Sequence, residues 1–188
     1  MTSECFNSHE AVFVIVFGLK GVIMAQVKLK GSPCKTNGEL PKKGQKAPEI
    51  HGVDSELKEK MLGDFRGKKK IICFVPSLDT AVCSMSAKKF SEAANERSDL
   101  AVVYISADLP FALKRTCTVE NGMKNITALS LVRSKKTAED YGVLLQDGPL
   151  AGLCTRAVVV VDANDTVLYT QLVDEITTEP DYDKALSV

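Results

Sequence analysis

Histidine is scarce in this sequence, and neither sign of charge is in excess. The two histidines, His9 and His51, are too few for a multi-histidine metal site and leave few candidates for a histidine-based catalytic triad. Lysine plus arginine and aspartate plus glutamate each number 24, so the basic excess of a dedicated nucleic-acid binder is missing. Low-complexity tracts are absent, and 45% of the 188 residues are hydrophobic. The chain therefore has the length and composition of a single domain with a packed core.

Closely spaced cysteine pairs are also absent, although the chain has six cysteines. No two of them have C-x-x-C spacing, which excludes a zinc ribbon and a thioredoxin-type dithiol. Neither a Walker A motif nor a dinucleotide-binding glycine pattern occurs, so we expect no nucleotide cofactor. Chemistry carried by a single cysteine stays possible, although most such residues are small buried hydrophobes.

The first 23 residues contain an apolar run that matches no standard targeting signal. Residues 11–19 are apolar, but this run is about half of the roughly 20 residues that cross a bilayer. Glu4 and Glu10 precede it and no lysine or arginine does, whereas a secretory signal begins with a basic segment. We therefore expect residues 1–23 to be an extension outside the fold, residues 24–188 to form one domain, and the location to be cytoplasmic. The alternatives are a non-cleaved membrane anchor or a poor signal peptide.

Apolar segments alternate with helical patterns along the rest of the chain. The predicted strands are 27–29, 71–75, 101–105, 126–131, 156–161 and 167–169, and the predicted helices are 83–97, 111–119, 134–141 and 180–186. The apolar residues of most of these strands are continuous, which is typical of strands buried on both faces. Residues 34–48 predict an irregular surface stretch. The alternating order predicts an α/β fold, with a mixed central sheet and helices on both of its faces.

Cys83 lies where a loop is predicted to change into a helix. A buried strand stops at Pro76, a short loop follows, and Cys83 begins the helical pattern. The thiolate is the nucleophile, and a free thiol with a pKa of about 8.5 is mostly protonated at neutral pH. Unpaired N–H groups and the helix dipole favour a thiolate in the first helical turn. Thr80 can direct its hydroxyl there, unless it or Asp79 is simply the N-cap of a helix that begins with an inert cysteine.

The pattern Pro-x-x-x-Thr-x-x-Cys, formed by Pro76, Thr80 and Cys83, resembles the peroxidatic signature of the peroxiredoxins. Further segments resemble one subfamily, the thiol peroxidases of the atypical two-cysteine type, and these are residues 106–112, 147–150, 156–162 and 171–182. The resemblance covers about residues 24–188. It implies a thioredoxin-like fold, no cofactor, a hydroperoxide substrate, re-reduction by thioredoxin or a similar reductant, and a homodimer.

The resemblance also implies a role for each matching residue. Cys83 matches the peroxidatic cysteine, which attacks the peroxide and becomes a sulfenic acid. Cys117 matches the resolving cysteine, which condenses with that sulfenic acid to a disulfide. Arg156 matches the arginine that supplies a cation beside the thiolate and polarises the peroxide. Pro76 matches the proline that shields the site from water, and Thr80 matches the hydroxyl that hydrogen-bonds sulfur or substrate oxygen.

The sequence departs from the pattern of the family around Cys117. Thr116 and Thr118 stand where the family usually has phenylalanine and glycine, which leaves the local geometry open.

The alternative function is a non-turnover peroxide sensor or relay that acts on a partner protein. A disulfide reductase of the thioredoxin kind is disfavoured because C-x-x-C is absent. The cysteines without an assigned catalytic role are Cys5, Cys34, Cys73 and Cys154, of which the last two are expected to be packing residues.

Overall fold

The computed structural model describes residues 24–95, 97–120, 123 and 126–188. The predicted extension at 1–23 and the predicted helix stop at Asn121-Gly122 lie outside the described residues. The described strands are β1 (Gln26–Leu29), β2 (Ser32–Lys35), β3 (His51–Val53), β4 (Glu59–Met61), β5 (Lys69–Phe74), β6 (Leu100–Ser106), β7 (Ile126–Ser130), β8 (Ala157–Val161) and β9 (Val167–Leu172). The described α-helices are α1 (Ala81–Asn95), α2 (Pro110–Lys114), α3 (Lys136–Asp140) and α4 (Tyr182–Ser187), with a 3-10 helix at Leu62–Phe65 and a π-helix at Arg115–Glu120.

A seven-stranded mixed sheet forms the centre of the fold, in the order β4-β3-β7-β6-β5-β8-β9. β5, β6 and β7 are parallel neighbours, because the segments that contain α1 and α2 return the chain to the same edge of the sheet. β8 pairs with β5 and β9 pairs with β8, both in antiparallel orientation. The predicted mixed sheet is therefore confirmed.

Helices cover both faces of this sheet because adjacent residues of a strand point to opposite faces. Ile71 and Cys73 of β5 pack into a cluster with residues of α1, α2 and α4. Ile72 and Phe74 pack into a second cluster on the other face, with residues of α3 and the 3-10 helix. The predicted covering of both faces is confirmed, and the catalytic cysteine candidate Cys83 lies on the α1 face.

The N-terminal part of the fold differs from the sequence prediction. Residues 32–35 form β2, antiparallel to β1, where we expected the strand to end and an irregular stretch to begin. Lys30 and Gly31 both have positive φ, 51° and 81°, which gives the tight two-residue turn that joins antiparallel strands. β3 and β4 were not predicted, because segments of three residues each carry too short an apolar pattern to be recognised.

Helix boundaries differ from the predictions by a few residues. α1 begins at Ala81, which makes Cys83 its third residue. The helix predicted over 111–119 is α2 followed by the π-helix, so Cys117 lies on the latter. Within the residues described, no helix is long and apolar enough to cross a membrane.

Candidate active site

Cys83 lies in the first turn of α1, beyond the carboxyl end of the buried strand β5. β5 ends at Phe74, and a short loop leads to Ala81, where α1 begins. The carbonyl oxygen of Thr80 accepts the N–H of Ser84 at 2.9 Å, so Thr80 immediately precedes the helix. The first N–H groups of a helix have no partner within it, which makes this turn favourable for an anion.

Two side chains hydrogen-bond the sulfur of Cys83 among the described residues. Thr80 Oγ1 donates to Sγ over 2.9 Å, and Arg156 Nη2 donates to it over 3.3 Å. The Thr80 hydroxyl therefore contacts the sulfur, whereas the Asp79 carboxylate forms an ion pair with Arg115 at 3.1 Å. Cys83 is 0% exposed, so its thiol is shielded from solvent. The Cys83 sulfur thus lies between a hydroxyl donor and a guanidinium donor.

Arg156 brings a buried cation to this sulfur. It lies just before β8, and only 3% of its surface is exposed. Its Nε donates to the carbonyl oxygen of Ile176 at 2.9 Å, which fixes one edge of the guanidinium while Nη2 reaches Cys83. Among the described residues its Nη1 has no hydrogen-bond partner. Because a buried donor without a partner costs free energy, the site favours an anion or an acceptor oxygen beside the sulfur.

A cavity of about 260 Å³ gives access to the groups that hold the sulfur. Pro76, Thr80 and Arg156 line it, and most of its other lining residues are apolar, among them Leu29, Leu150, Leu153 and Ile176. Two larger cavities, of about 350 and 480 Å³, have no cysteine of the described residues in their walls. Cavity size alone would therefore not identify the cavity beside Thr80 and Arg156 as the site.

Cys117 borders a different cavity from the one beside Thr80. This cavity measures about 430 Å³, and the two share no lining residue. Burial raises the pKa of the Cys117 thiol to about 11, and the Asp108 carboxylate acts in the same direction. Cys83 and Cys117 are both free thiols and belong to one hydrophobic cluster on the α1 face. The structure therefore holds the two thiols on one side of the sheet without a bond between them.

The other described cysteines are buried away from solvent. Cys34, Cys73 and Cys154 are at most 2% exposed. Burial raises the pKa of Cys73 and that of Cys154 to about 12. Such thiols stay protonated at neutral pH and pack as small hydrophobic residues, in agreement with what we expected of these two. Cys5 lies outside the described residues.

The histidines do not contribute to this site as far as the structure describes them. His51 is on β3 and lines the cavity of about 350 Å³ together with Arg133, whereas His9 lies outside the described residues. Among the described residues, no group of three or more histidine, cysteine, aspartate or glutamate side chains could hold a metal ion.

Asp108 is a residue of the site that the sequence interpretation left without a role. Its carboxylate accepts hydrogen bonds from Ser77 Oγ at 2.7 Å, from Leu78 N at 2.8 Å and from Ser106 Oγ at 2.8 Å. It thereby joins the loop before Cys83 to the segment that leads into α2. The sequence could have indicated this residue, because Asp108 follows a buried strand and the carboxyl ends of parallel strands meet at one edge of the sheet, where the loop before Cys83 also lies.

Comparison with known proteins identifies the family of the chain. The Redoxin family matches residues 42–186. The chain belongs to the Redoxin family. Over 164 residues, 87% of this chain and 98% of the relative, it is 48% identical to the thiol peroxidase of Corynebacterium glutamicum. Over 165 residues, 87% of this chain and 96% of the relative, it is 44% identical to the thiol peroxidase of Leptospira interrogans.

A solved structure extends the comparison of this Redoxin-family protein to its fold. The peroxiredoxin-like protein from Aquifex aeolicus superposes with a TM-score of 0.81 at 42% identity, covering 87% of this chain and 95% of that chain. The resemblance to the peroxiredoxins is therefore confirmed at the level of the family. The expected thioredoxin-like α/β fold is confirmed as well.

Proposed function

We propose that this protein is a thiol peroxidase that reduces hydroperoxides through a sulfenic acid on Cys83. The observation that carries the proposal is the buried Cys83 sulfur, hydrogen-bonded by Thr80 and by Arg156, whose remaining Nη1 has no partner among the described residues. Thiol peroxidases at 44–48% identity over most of the chain support it. Pro76 lines the cavity beside Thr80 and Arg156, and we assign to it the role of limiting the access of water.

The first step is a nucleophilic substitution at oxygen. The Cys83 thiolate attacks one peroxide oxygen, an S–O bond forms and the O–O bond breaks. The sulfur is oxidised to the sulfenic acid, and the other oxygen leaves as hydroxide or alkoxide and takes up a proton to become water or an alcohol. Negative charge grows on the leaving oxygen, so the free Nη1 of Arg156 stabilises the transition state most when it donates to that oxygen. Thr80 orients the attacking sulfur.

The second step assigns Cys117 as the resolving cysteine of the atypical two-cysteine type. Its thiolate attacks the sulfenic sulfur, the S–S bond forms and the S–O bond breaks, and the oxygen leaves as hydroxide and takes up a proton to become water. A dithiol reductant such as thioredoxin then supplies the two electrons that regenerate both thiols. Because burial holds the pKa of Cys117 at about 11, this thiol becomes nucleophilic at neutral pH only when its segment opens to solvent.

We also propose that the protein is a homodimer. Leu109 and Phe111 are 54% and 67% exposed on either side of Pro110, at the start of α2. Exposed apolar side chains placed together favour a protein interface over solvent. The cytoplasmic location stays a prediction from the sequence.

A turnover assay tests the proposed function. Purified protein is mixed with thioredoxin, thioredoxin reductase, NADPH and either hydrogen peroxide or cumene hydroperoxide, and NADPH consumption is followed. We expect many turnovers per molecule in the wild type and none in Cys83→Ser, because an alcohol of much higher pKa is not a nucleophile at neutral pH.

The second cysteine is tested in the same assay with mass spectrometry. Cys117→Ser should undergo one rapid oxidation, stall at the sulfenic acid and advance to the sulfinic acid. If the wild type oxidises once and does not cycle with any dithiol reductant, the protein is a sensor and the enzymatic proposal is wrong. Equal single-turnover rates in wild type and Cys83→Ser would remove Cys83 from the mechanism.

A further inference from the structure

The guanidinium of Arg156 is anchored to a segment that a neighbouring carboxylate holds in place. Arg156 Nε donates to the carbonyl oxygen of Ile176 at 2.9 Å. The preceding residue, Glu175, accepts four hydrogen bonds on its side chain. These come from Lys30 N and Gly31 N at 2.9 Å each, Thr177 N at 3.1 Å and Thr177 Oγ1 at 2.7 Å. The carboxylate therefore fixes the backbone on both sides of the carbonyl that orients Arg156.

The other partner of this carboxylate is the turn of the β1–β2 hairpin. Lys30 and Gly31 both have positive φ, and their consecutive N–H groups donate to the two carboxylate oxygens. The backbone continues the attachment, since Ile176 N donates to the carbonyl oxygen of Lys28 at 2.8 Å. Leu29, on the same hairpin, lines the cavity above Arg156. The hairpin is thus joined to the active site although it is not part of the central sheet.

We infer that Glu175 is a positioning residue for Arg156. Through Glu175, the β1–β2 hairpin keeps the guanidinium within hydrogen-bond distance of the Cys83 sulfur. A planar guanidinium can direct Nη2 to the sulfur and leave Nη1 for substrate only while its Nε edge is held. The backbone N–H of Gly31, the Thr177 hydroxyl and the backbone N–H of Lys30 lower the pKa of Glu175 to about 2, so the carboxylate is charged at neutral pH. The inference rests on the proposed function only for the peroxide rate, because the state of the Cys83 sulfur can be measured without peroxide.

The test compares Glu175→Gln with Asp174→Asn. A glutamine keeps the length of the side chain, but its NH₂ group cannot accept from an N–H donor of the hairpin turn. The adjacent Asp174 pairs with Lys28 of the same hairpin at 3.1 Å, and both side chains are exposed. Asp174→Asn therefore removes an equal charge without disturbing the Glu175 contacts. Two quantities are measured, the second-order rate constant with hydrogen peroxide and the pH profile of Cys83 alkylation by iodoacetamide, read by peptide mass spectrometry.

We expect Glu175→Gln to lower the peroxide rate constant about tenfold and to move the alkylation profile of Cys83 to higher pH, as for the loss of one charge-assisted hydrogen bond. Asp174→Asn should match the wild type in both. Thr177→Val removes the hydroxyl contact to Glu175 and keeps the size of a side chain that also lines the cavity, and it should give a smaller change in the same direction. It keeps the test valid if Glu175→Gln fails to fold.

A double-mutant cycle separates positioning from general stability. In an Arg156→Ala background, Glu175→Gln should change neither the peroxide rate constant nor the alkylation profile further, because its effect passes through the guanidinium. An equal loss in both backgrounds would overturn the inference, as would wild-type values for both Glu175→Gln and Thr177→Val. If the wild type has no peroxidase turnover, the proposed function fails, whereas the alkylation profiles still decide the role of Glu175.

Discussion

The contact between Arg156 and the Cys83 sulfur is the residue-scale feature on which the chemistry depends most. A helix N-terminus contributes about 0.3–1 kcal/mol to an exposed anion, which changes the thiolate fraction by less than about tenfold. The guanidinium adds a permanent positive charge at 3.3 Å from the sulfur, together with a donor that is free for substrate oxygen. Arg156 should therefore affect the rate more than it affects the thiolate fraction.

Arg156→Ala should lower the second-order rate constant with peroxide by about 100-fold, the loss that is typical when one donor to a developing oxyanion is removed. The pH profile of Cys83 alkylation should move to higher pH, but the loss of thiolate that this shift represents should account for only part of the loss in rate. Arg156→Lys should recover part of the rate, because a point charge cannot reproduce the planar fork. Alkylation and peroxide rates of the three proteins, measured over the same pH range, check this. An unchanged peroxide rate in Arg156→Ala would remove the residue from the mechanism.

The Glu175 carboxylate predicts a specific pH dependence of stability. Its pKa falls from the ordinary 4.5 to about 2 in the folded protein. The depressed pKa means that the stabilisation is complete above about pH 4.5 and is lost as the pH falls towards 2. Urea unfolding of wild type and Glu175→Gln at pH 7, 4.5, 3 and 2 should show a gap in unfolding free energy that is constant between pH 7 and 4.5 and closes below. A gap that stays constant down to pH 2 would contradict the assigned hydrogen bonds.

At the scale of elements, Asp108 connects the loop before α1 with the segment that leads into α2 and Cys117. We expect the proposed disulfide between Cys83 and Cys117 to require movement of both regions, because the structure forms no bond between these thiols and buries both, with Cys83 fully buried and Cys117 8% exposed. We predict that the reduced and oxidised proteins differ in hydrogen exchange at 76–84 and 110–120, whereas β5 and β6 keep their protection. Exchange mass spectrometry on both forms tests this. Equal protection at 76–84 in the two forms would mean that the disulfide forms without opening of the loop.

Asp108→Asn should make that opening easier. Each hydrogen bond to a charged group is worth about 1.5–3 kcal/mol, and the carboxylate holds Leu78 N and Ser77 Oγ at 2.8 and 2.7 Å. We expect faster exchange at 77–79 in the reduced variant and less sulfinic acid per turnover at high peroxide, since Cys117 reaches the sulfenic acid sooner. Asp140→Asn is the matched control, because its exposed ion pair with Lys136 lies within α3 and joins neither segment. More sulfinic acid in Asp108→Asn than in the wild type would contradict the role of this carboxylate.

For the whole molecule, the exposed apolar residues of α2 predict a dimer that one substitution weakens. Burying a phenylalanine side chain contributes about 1.5–3 kcal/mol, and Phe111 is 67% exposed in the monomer. Phe111→Ser should raise the dimer dissociation constant by about tenfold or more in sedimentation velocity runs. Met61→Ser, which removes a 45% exposed apolar side chain on the sheet-edge strand β4, should leave the dissociation constant unchanged. A wild type that sediments as a monomer would contradict the dimer.

The sequence alone was sufficient for the central elements of the fold. β5, β6 and β8 each contain a continuous apolar run, at 71–74, 100–105 and 157–161, and such runs are recognisable without any knowledge of their neighbours. The place of Cys83 in a first helical turn follows from the same local reading, because a buried strand, a loop and an apolar stripe succeed one another along the chain. Strands β2, β3 and β4 were not predicted from the sequence, because the pairing of short, partly exposed segments depends on the rest of the molecule.

The assembly of the site required the folded chain. Arg156 is 73 positions from Cys83, and Gly31 is 144 positions from the Glu175 carboxylate that it binds. A local pattern does not encode which distant residues meet, because that depends on strand order and on where each connection crosses the sheet. The resemblance to the peroxiredoxins identified Arg156 and Cys117 as candidate residues. The roles of Asp108 and Glu175, in contrast, became visible only as hydrogen bonds between segments that are remote in the sequence.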